Sequence, residues 1–215
     1  MEVELLKQYH ENGSLYSIGD INFWNGTEQG KWEFYYENGG LQRVGYYHNG
    51  KGEGKWSYYT ERGGLERVGY VKNGKPEGEW KYYYDNGNLR KIRSYKNGEL
   101  EGDYKEYHEN GELLKDGSFK NGMKQGEWKF YYDNGNLKAT GSFLNDKQEG
   151  EWLEFHENGN LQNIGSWKDD ESEGDFRQYH ENGEIHIEGR HKRGKEVGEW
   201  KIYDENGDLE FFSKI

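Results

Sequence analysis

The stretch Gly126-Glu-Trp128-Lys-Phe-Tyr-Tyr-Asp-Asn134-Gly135-Asn-Leu137-Lys-Ala-Thr-Gly141-Ser-Phe143 decides the fold, because its pattern recurs along the chain. Its first glycine returns every 24 residues, at positions 30, 54, 78, 102, 126, 150, 174 and 198. A fixed period of this length is the signature of a tandem repeat array. We therefore predict one array over residues 1–215, with an atypical N-terminal unit (1–30), seven regular units (31–198) and a partial C-terminal cap (199–215).

Each unit contains two short aromatic-rich runs, and an Asn-Gly pair follows each run. In the unit that begins at Gly78 these pairs are Asn86-Gly87 and Asn97-Gly98. Both residue types tolerate positive φ, as a tight hairpin turn requires. The later variants Asn145-Asp146, Asp169-Asp170 and Arg193-Gly194 occupy the same phase, and we expect those turns to survive.

The runs predict an all-β fold, because no stretch has a helical period. We expect an elongated tandem array of 24-residue β-hairpin repeats that forms a single curved, twisted antiparallel meander sheet. Counting one strand per run gives about seventeen strands, with the last unit ending after its first strand.

Aromatic residues recur at two phases of the first strand. One phase holds tryptophan in most units, at positions 32, 56, 80, 128, 152 and 200, and the other holds a ring three residues later. This offset breaks strict alternation, so the strand either bulges or uses both faces. Glycine at positions 45, 69, 117, 141, 165 and 189 predicts a bulge or a close backbone approach in the second strand, and Arg93 replaces it once.

Composition narrows the class of protein. A mean hydropathy of −1.35 with 33% charged residues is compatible with disorder, yet 19 tyrosines and 8 tryptophans recur at fixed phase, and disordered chains are poor in aromatics. No cysteine is present to form a disulfide or a thiolate metal site. The N-terminus has no signal-peptide pattern and no apolar run reaches membrane-span length, so we predict a soluble cytoplasmic protein.

The unit closely resembles the MORN-repeat variant of bacterial proteins. The stretch from Gly126 to Phe143 follows that family's pattern G-x-W-x-x-Y-x-x-N-G-x-L-x-x-x-G almost position for position, and the resemblance covers practically the whole chain. It implies an antiparallel β-hairpin array with no attached catalytic domain. It also implies the role assigned to many bacterial members, that of an antitoxin or immunity protein beside a toxin. Classical MORN proteins are associated with membrane attachment and scaffolding.

Three patterns could signal a metal or catalytic site. His10, His108, His156 and His180 share one phase, but residues one repeat apart lie roughly 9.6 Å apart, too far to share a zinc ion. The acidic run 169–175 is similar to the start of a calcium loop, yet its twelfth position is His180 rather than glutamate. The serines at 94, 118, 142 and 166 have no matched histidine and aspartate. We therefore expect no metal, no cofactor and no enzymatic activity.

Charge divides the sequence into two halves. Residues 1–98 carry 14 basic and 13 acidic side chains, whereas residues 99–215 carry 15 basic and 28 acidic ones. The acidic half disfavours nucleic acid and anionic membranes as partners. It suits a basic protein, such as a basic toxin, through electrostatic steering, and simple solubility is the alternative explanation.

Candidate partner-binding residues lie at the positions where the repeats of the two halves differ. The N-terminal half adds aromatic and arginine side chains that favour interface hot spots, and the acidic half adds a run of carboxylates. They are Phe34, Tyr58, Tyr82, Tyr46, Tyr70, Arg43 and Arg67, with Asp169, Asp170, Glu171 and Glu173. The alternative for the rings is that they pack against one another across strands.

The sequence thus predicts a non-enzymatic protein-binding repeat scaffold, of antitoxin or immunity type, that blocks a partner protein. Two alternatives stay open: a structural or membrane-associated MORN scaffold, and a protein that sequesters a small ligand in an aromatic groove. The sequence leaves the oligomeric state open.

Overall fold

The computed structural model describes residues 2–215, which form nineteen strands and no helix. The all-β prediction is therefore confirmed. Accordingly, the described residues contain no helix long and apolar enough to cross a membrane. The chain divides into two compact units, the first ending at Gly102 and the second beginning at Asp103.

The first unit contains eight complete strands, each paired antiparallel with the next. They are β1 (Val3–Tyr9), β2 (Leu15–Asn22), β3 (Glu28–Tyr35), β4 (Leu41–His48), β5 (Lys51–Tyr59), β6 (Leu65–Lys72), β7 (Lys75–Tyr83) and β8 (Leu89–Lys96). Strand β9 (Glu99–Tyr107) contains the division between the two units.

The second unit continues the same hairpin meander with antiparallel pairs from β10 to β19. Its strands are β10 (Leu113–Lys120), β11 (Met123–Tyr131), β12 (Leu137–Leu144), β13 (Lys147–Phe155), β14 (Leu161–Lys168), β15 (Glu171–Ser172), β16 (Gly174–Tyr179), β17 (Ile185–Lys192), β18 (Lys195–Tyr203) and β19 (Leu209–Lys214).

The count of about seventeen strands was wrong at two places. The last unit does not end after its first strand, because Leu209–Lys214 forms β19 and pairs with β18. The first strand of the preceding unit is interrupted at Glu173, which leaves the short β15 separate from β16. The repeat period located the strands but could not show this local break.

The second Asn-Gly pair of each regular unit forms a two-residue hairpin turn. At Asn49-Gly50 both residues have positive φ, 51° and 74°, as the type I′ turn requires. The variants keep this geometry, with φ of 54° and 68° at Asn145-Asp146 and 50° at Arg193. The expected survival of these turns is confirmed. The pair Asn25-Gly26 differs, because there only Gly26 has positive φ.

The first Asn-Gly pair forms a different turn from the one predicted. At Asn134-Gly135 only the glycine has positive φ, 84°, and the chain makes a longer loop in which Tyr132 N–H donates to Asn136 O. Such loops combine a type I turn with a left-handed glycine. The asparagine instead supplies its side chain, since Asn134 Oδ1 accepts from Asn136 N–H at 2.9 Å.

The six tryptophans at the repeated phase of the first strand each pack flat on a glycine of the preceding strand. A Cβ added to Gly45 would lie 2.1 Å from the Trp56 ring, and one added to Gly141 would lie 2.2 Å from Trp152. The pairing register also shifts at Gly45, between β4 and β5. Both parts of the glycine prediction are confirmed: the second strand has a bulge there, and a ring approaches its backbone closely.

The two faces of the strands differ, and the three-residue aromatic offset reflects this. Trp32 and Phe34 stack on the same face, which we call the tryptophan face, with ring centroids 5.9 Å apart. The Tyr35 hydroxyl donates to Glu33 at 2.6 Å, so the later ring of the pair belongs to the opposite face. One core cluster lies in each unit, around Trp32, Trp56 and Trp80 in the first and around Trp128 and Trp152 in the second.

Candidate functional site

The first set of candidate residues forms a ladder of rings and cations on the tryptophan face of the first unit. Phe34 is buried, with 7% of its surface exposed, and the Tyr58 and Tyr82 rings pack against the same core. The Arg43 guanidinium carbon lies 4.0 Å from the centre of the Phe34 ring. For these three rings, packing across strands is therefore what the structure shows.

The arginines continue this ladder from strand to strand. Arg43 pairs with Phe34 on one side and with Tyr58 on the other, and Arg67 lies 4.2 Å from the Tyr58 ring centre. A guanidinium over an aromatic face is attracted by the ring quadrupole. The Nε atoms of both arginines are buried and make no hydrogen bond to another described residue. The ladder thus presents fixed positive charge within an aromatic surface.

A groove of about 340 Å³ opens beside this ladder, lined by Arg43, Tyr47, Trp56, Tyr58 and Trp80 among others. Burial raises the pKa of the Tyr47 phenol. Burial and a hydrogen bond with Tyr95 raise the pKa of Tyr82 to about 12. The phenols of Tyr47 and Tyr82 are therefore neutral at physiological pH.

Tyr46 and Tyr70 lie apart from the ladder and are the accessible rings of the set. They are 51% and 59% exposed. Tyr46 neighbours the tryptophan-face residue Tyr47, so strand alternation places it on the opposite face. Of the five aromatic candidates, these two can contact a partner without rearrangement of the core.

Two of the acidic candidates accept backbone hydrogen bonds, and the other two are solvent-exposed. Asp170 accepts from Gln148 N–H at 2.7 Å, and Glu173 accepts from Arg193 N–H at 2.8 Å. Asp169 pairs with Lys147 at 3.1 Å while its side chain stays 67% exposed, and Asp169 raises the pKa of Lys147. Glu171 is exposed. Asp169 and Glu171 are therefore the members of the run best placed to attract a partner.

Sequence reasoning missed the role of the carboxylate at the Glu173 phase. Glu53, Glu77, Glu149 and Glu173 each accept from the backbone N–H of the next unit's two-residue turn, at 2.8–3.3 Å. Gln125 takes the same position with its amide oxygen. The signal was present as recurrence of an acceptor every 24 residues, but the sequence does not say which backbone group it meets.

Three of the four recurring histidines contact backbone carbonyls, and the Nε2 of the fourth, His108, is buried without a hydrogen-bond partner among the described residues. His10, His156 and His180 each place Nε2 within 3.0–3.2 Å of a carbonyl oxygen in the next repeat. Tyr36 and Tyr132 use their hydroxyls in the same way, both at 2.7 Å. This explains why either histidine or tyrosine is suited to this phase. Among residues 2–215 no group of three or more histidine, cysteine or acidic side chains is arranged to hold a metal ion.

Seven segments of the chain match the family model described as MORN repeat variant. They are residues 28–49, 76–97, 100–121, 124–145, 148–169, 172–193 and 196–211. The chain belongs to this family. MORN repeats are generally protein-binding scaffolds and typically not enzymes. The unit around Arg62 is unmatched, yet it forms the same hairpin with β5 and β6.

Comparisons with other proteins add little beyond the family. The crystal structure of TcdB2-TccC3-TEV is 15% identical with a TM-score of 0.25, and the match covers 94% of this chain and 12% of that one. A point mutant of the TCP10 domain of Danio rerio CPAP is 12% identical with a TM-score of 0.30 over the full length of both chains. A search of the curated proteins finds no match.

Proposed function

We propose that this chain is a cytoplasmic, non-enzymatic scaffold that binds a basic protein partner through its second unit and acts as an antitoxin or immunity protein by covering it. The observation that carries the proposal is the charge of that unit. Residues 103–215 contain 26 acidic and 15 basic side chains, against 15 and 14 in residues 1–102. A surface of this sign attracts a basic protein and speeds its association.

The family supports the binding part of the proposal, because MORN repeats are generally protein-binding scaffolds. Exposed carboxylates supply the contact chemistry, and Asp169 and Glu171 stand at a hairpin tip where a partner reaches them. The antitoxin role comes from the sequence resemblance described above. It predicts that the partner is toxic when it is produced alone.

The test uses the product of the gene adjacent to this one in its native genome. That product is expressed in a heterologous host with and without this chain, and growth is compared. We expect growth arrest without the chain and recovery with it. A neighbouring product that is harmless alone, or that stays toxic in the presence of this chain, would contradict the antitoxin role.

Binding kinetics then test the electrostatic part. Asp169→Asn with Glu171→Gln should slow association with that product, and raising salt from 0.05 to about 0.15 M should slow the wild type, since the screening length falls to about 8 Å. The control is Glu61→Gln with Glu66→Gln, which removes the same charge from exposed positions of the first unit. Equal effects of the two double variants would show that the acidic unit does not guide binding.

A further inference from the structure

The second unit contains a cavity of about 520 Å³, larger than the groove of about 340 Å³ that the equivalent positions around Trp56 and Trp80 form in the first unit. It opens on the tryptophan face, between β14, β16, β17 and β18. Four rings contribute to its wall, those of Trp167, Phe176, His191 and Trp200, and Ser172 and Glu196 add polar groups. A volume of this size falls in the range of small-ligand sites.

A single exchange accounts for the larger volume of the cavity here. Phe176 stands where most units carry tryptophan, and its smaller ring leaves Gly165 less covered. A Cβ added to Gly165 would meet Phe176 at 3.3 Å and Trp167 at 3.0 Å, whereas at Gly141 it would meet the Trp152 ring at 2.2 Å. The first strand is also interrupted beside the cavity, at Glu173.

The rings of the cavity form a continuous aromatic wall. The Phe176 and Trp200 centroids lie 6.0 Å apart, and His191 meets each of them edge-on at 5.5 and 5.0 Å. Such a wall presents the negative faces of its rings to a positively charged group. It distinguishes only weakly between different uncharged groups.

Two repeats earlier the protein fills the equivalent place with its own cation. Lys124 places its ammonium 4.5 Å from the Phe143 ring centre and 5.4 Å from that of Trp128. Forty-eight residues further on, the lysine position holds Ser172, and the ring positions hold His191 and Phe176. The cavity therefore keeps the aromatic surface on which this fold seats an ammonium and lacks the side chain that would supply it.

The charge around the cavity favours the same ligand. Glu196 is exposed, pairs across strands with His191, and has no ion-pair partner among the described residues. It belongs to the unit with 26 acidic and 15 basic side chains. A carboxylate beside an aromatic wall is suited to an organic cation and unfavourable for an anion.

We propose that this cavity binds an alkylammonium group, carried by a lysine side chain of a partner protein or by a free polyamine. The ammonium specificity follows from the cavity alone, and only the assignment to a partner's lysine rests on the proposed function. In the bound state the ammonium lies over the Phe176 and His191 rings, as that of Lys124 lies over Trp128 and Phe143, with Glu196 as its counter-ion.

Three probes test the proposal on the intact chain without any partner protein. N-acetyl-lysine amide and spermidine carry the ammonium, and N-acetyl-norleucine amide has the same four-carbon chain without it. The indole N–H signals of Trp167 and Trp200 report binding by NMR. We expect saturable shifts with the two amines and at least about fivefold weaker binding of the norleucine amide. Equal binding of lysine and norleucine amides, or no shift with either amine, would overturn the proposal.

Two variants locate the site. Ser172→Lys copies the Lys124 arrangement and should weaken binding at least tenfold by supplying an internal ammonium, and Phe176→Trp should also weaken it by narrowing the cavity with the ring usual at that phase. Met123→Lys adds the same charge at an exposed strand position and serves as the control. If both cavity variants bind as well as the wild type, the amines bind elsewhere and the proposal fails.

The two amines separate the sources of the ligand. Binding of lysine amide supports a side chain of a partner protein. If spermidine binds and lysine amide does not, the cavity is still an ammonium site, but its assignment to a partner's lysine is wrong. Because no toxin is present in this experiment, failure of the antitoxin role leaves its result unchanged.

Discussion

At the scale of single residues, the contact between glycine and tryptophan is the unit of this fold. The sequence indicated that glycine and tryptophan are both repeated, and the structure shows that the six tryptophans of the repeated phase each lie on a glycine of the preceding strand. It also places Phe34, a partner-binding candidate, on the tryptophan face among other packed rings. Glu154 shares the phase of Phe34 and is only partly exposed, where it accepts a hydrogen bond from Asn163 at 2.7 Å. Its truncation should therefore cost more than that of a freely exposed glutamate.

Gly141→Ala should destabilise the chain by about 1–3 kcal/mol, because the new methyl group would overlap the Trp152 ring and force it to move. Gly165→Ala is the matched control, since the added Cβ there lies 3.0 Å from the nearest ring atom rather than 2.2 Å. Urea denaturation of both variants measures the difference. A loss at Gly165 as large as that at Gly141 would contradict the stacking explanation.

The phenol of Tyr82 predicts a loss of stability at alkaline pH. Its pKa is raised to about 12, first by burial and then by the hydrogen bond with Tyr95, so folding favours the neutral form. Its contribution is fully present below the ordinary tyrosine pKa of about 10 and disappears as pH rises through about 12. Tyr82→Phe should therefore flatten the decline of the melting temperature between pH 10 and 12. Tyr46→Phe, at an exposed ring, is the control. Equal declines of the melting temperature in the two variants would show that ionisation of Tyr82 does not cause the alkaline loss of stability.

At the scale of strands and turns, two turn types alternate along the chain. The two-residue turns hold both central residues at positive φ, and the longer turns hold only glycine there. The carboxylates at the Glu53 phase accept from the backbone of the following turn, which ties each hairpin to the next. Asp146 and Asp170 replace glycine in the two-residue turns and accept from the preceding repeat's Lys124 and Gln148 N–H groups. Side-chain hydrogen bonds to the backbone therefore connect the turns of successive repeats along this edge of the sheet.

Arg193→Asn should stabilise the chain by about 0.5–1 kcal/mol, because Arg193 occupies left-handed backbone that asparagine adopts more readily. The backbone hydrogen bond from Arg193 to Glu173 does not depend on the side chain that is exchanged. Chemical denaturation checks the gain. Lys195→Asn, within β18, should not raise the free energy of unfolding. A similar rise in that variant would show that the loss of positive charge, rather than the backbone conformation, causes the stabilisation.

At the scale of the whole molecule, stability is distributed between two units that each contain one aromatic core cluster. Repeat proteins gain most of their stability from contacts between neighbouring repeats, so a destabilising substitution weakens mainly the repeats near its own position. The charge is distributed unevenly between the units as well. Each unit therefore has its own core and its own electrostatic character.

Trp128→Ala should cost about 3–5 kcal/mol, because this ring is 1% exposed and lies at the centre of the second cluster. Native-state hydrogen exchange should show the largest loss of amide protection in residues 103–215. Trp56→Ala is the counterpart and should reduce protection mainly in residues 2–102. Uniform loss over the whole chain in both variants would show that the array unfolds only as one cooperative block.

The sequence by itself determined the antiparallel hairpin meander, its 24-residue period, the left-handed positions of the two-residue turns and the close approach at the repeated glycines. These features depend on residues near one another in the chain, where turn chemistry and recurrence are direct signals. Only the tertiary structure decided that Phe34 is buried while Tyr46 is exposed, that Glu173 supports a turn, and that Phe176 leaves a cavity. Each of these features depends on the side chain that a residue contacts on the neighbouring strand, about 10–20 residues away in the sequence. A periodic sequence offers the same residue types on both faces of the strands, so it does not show which contact forms.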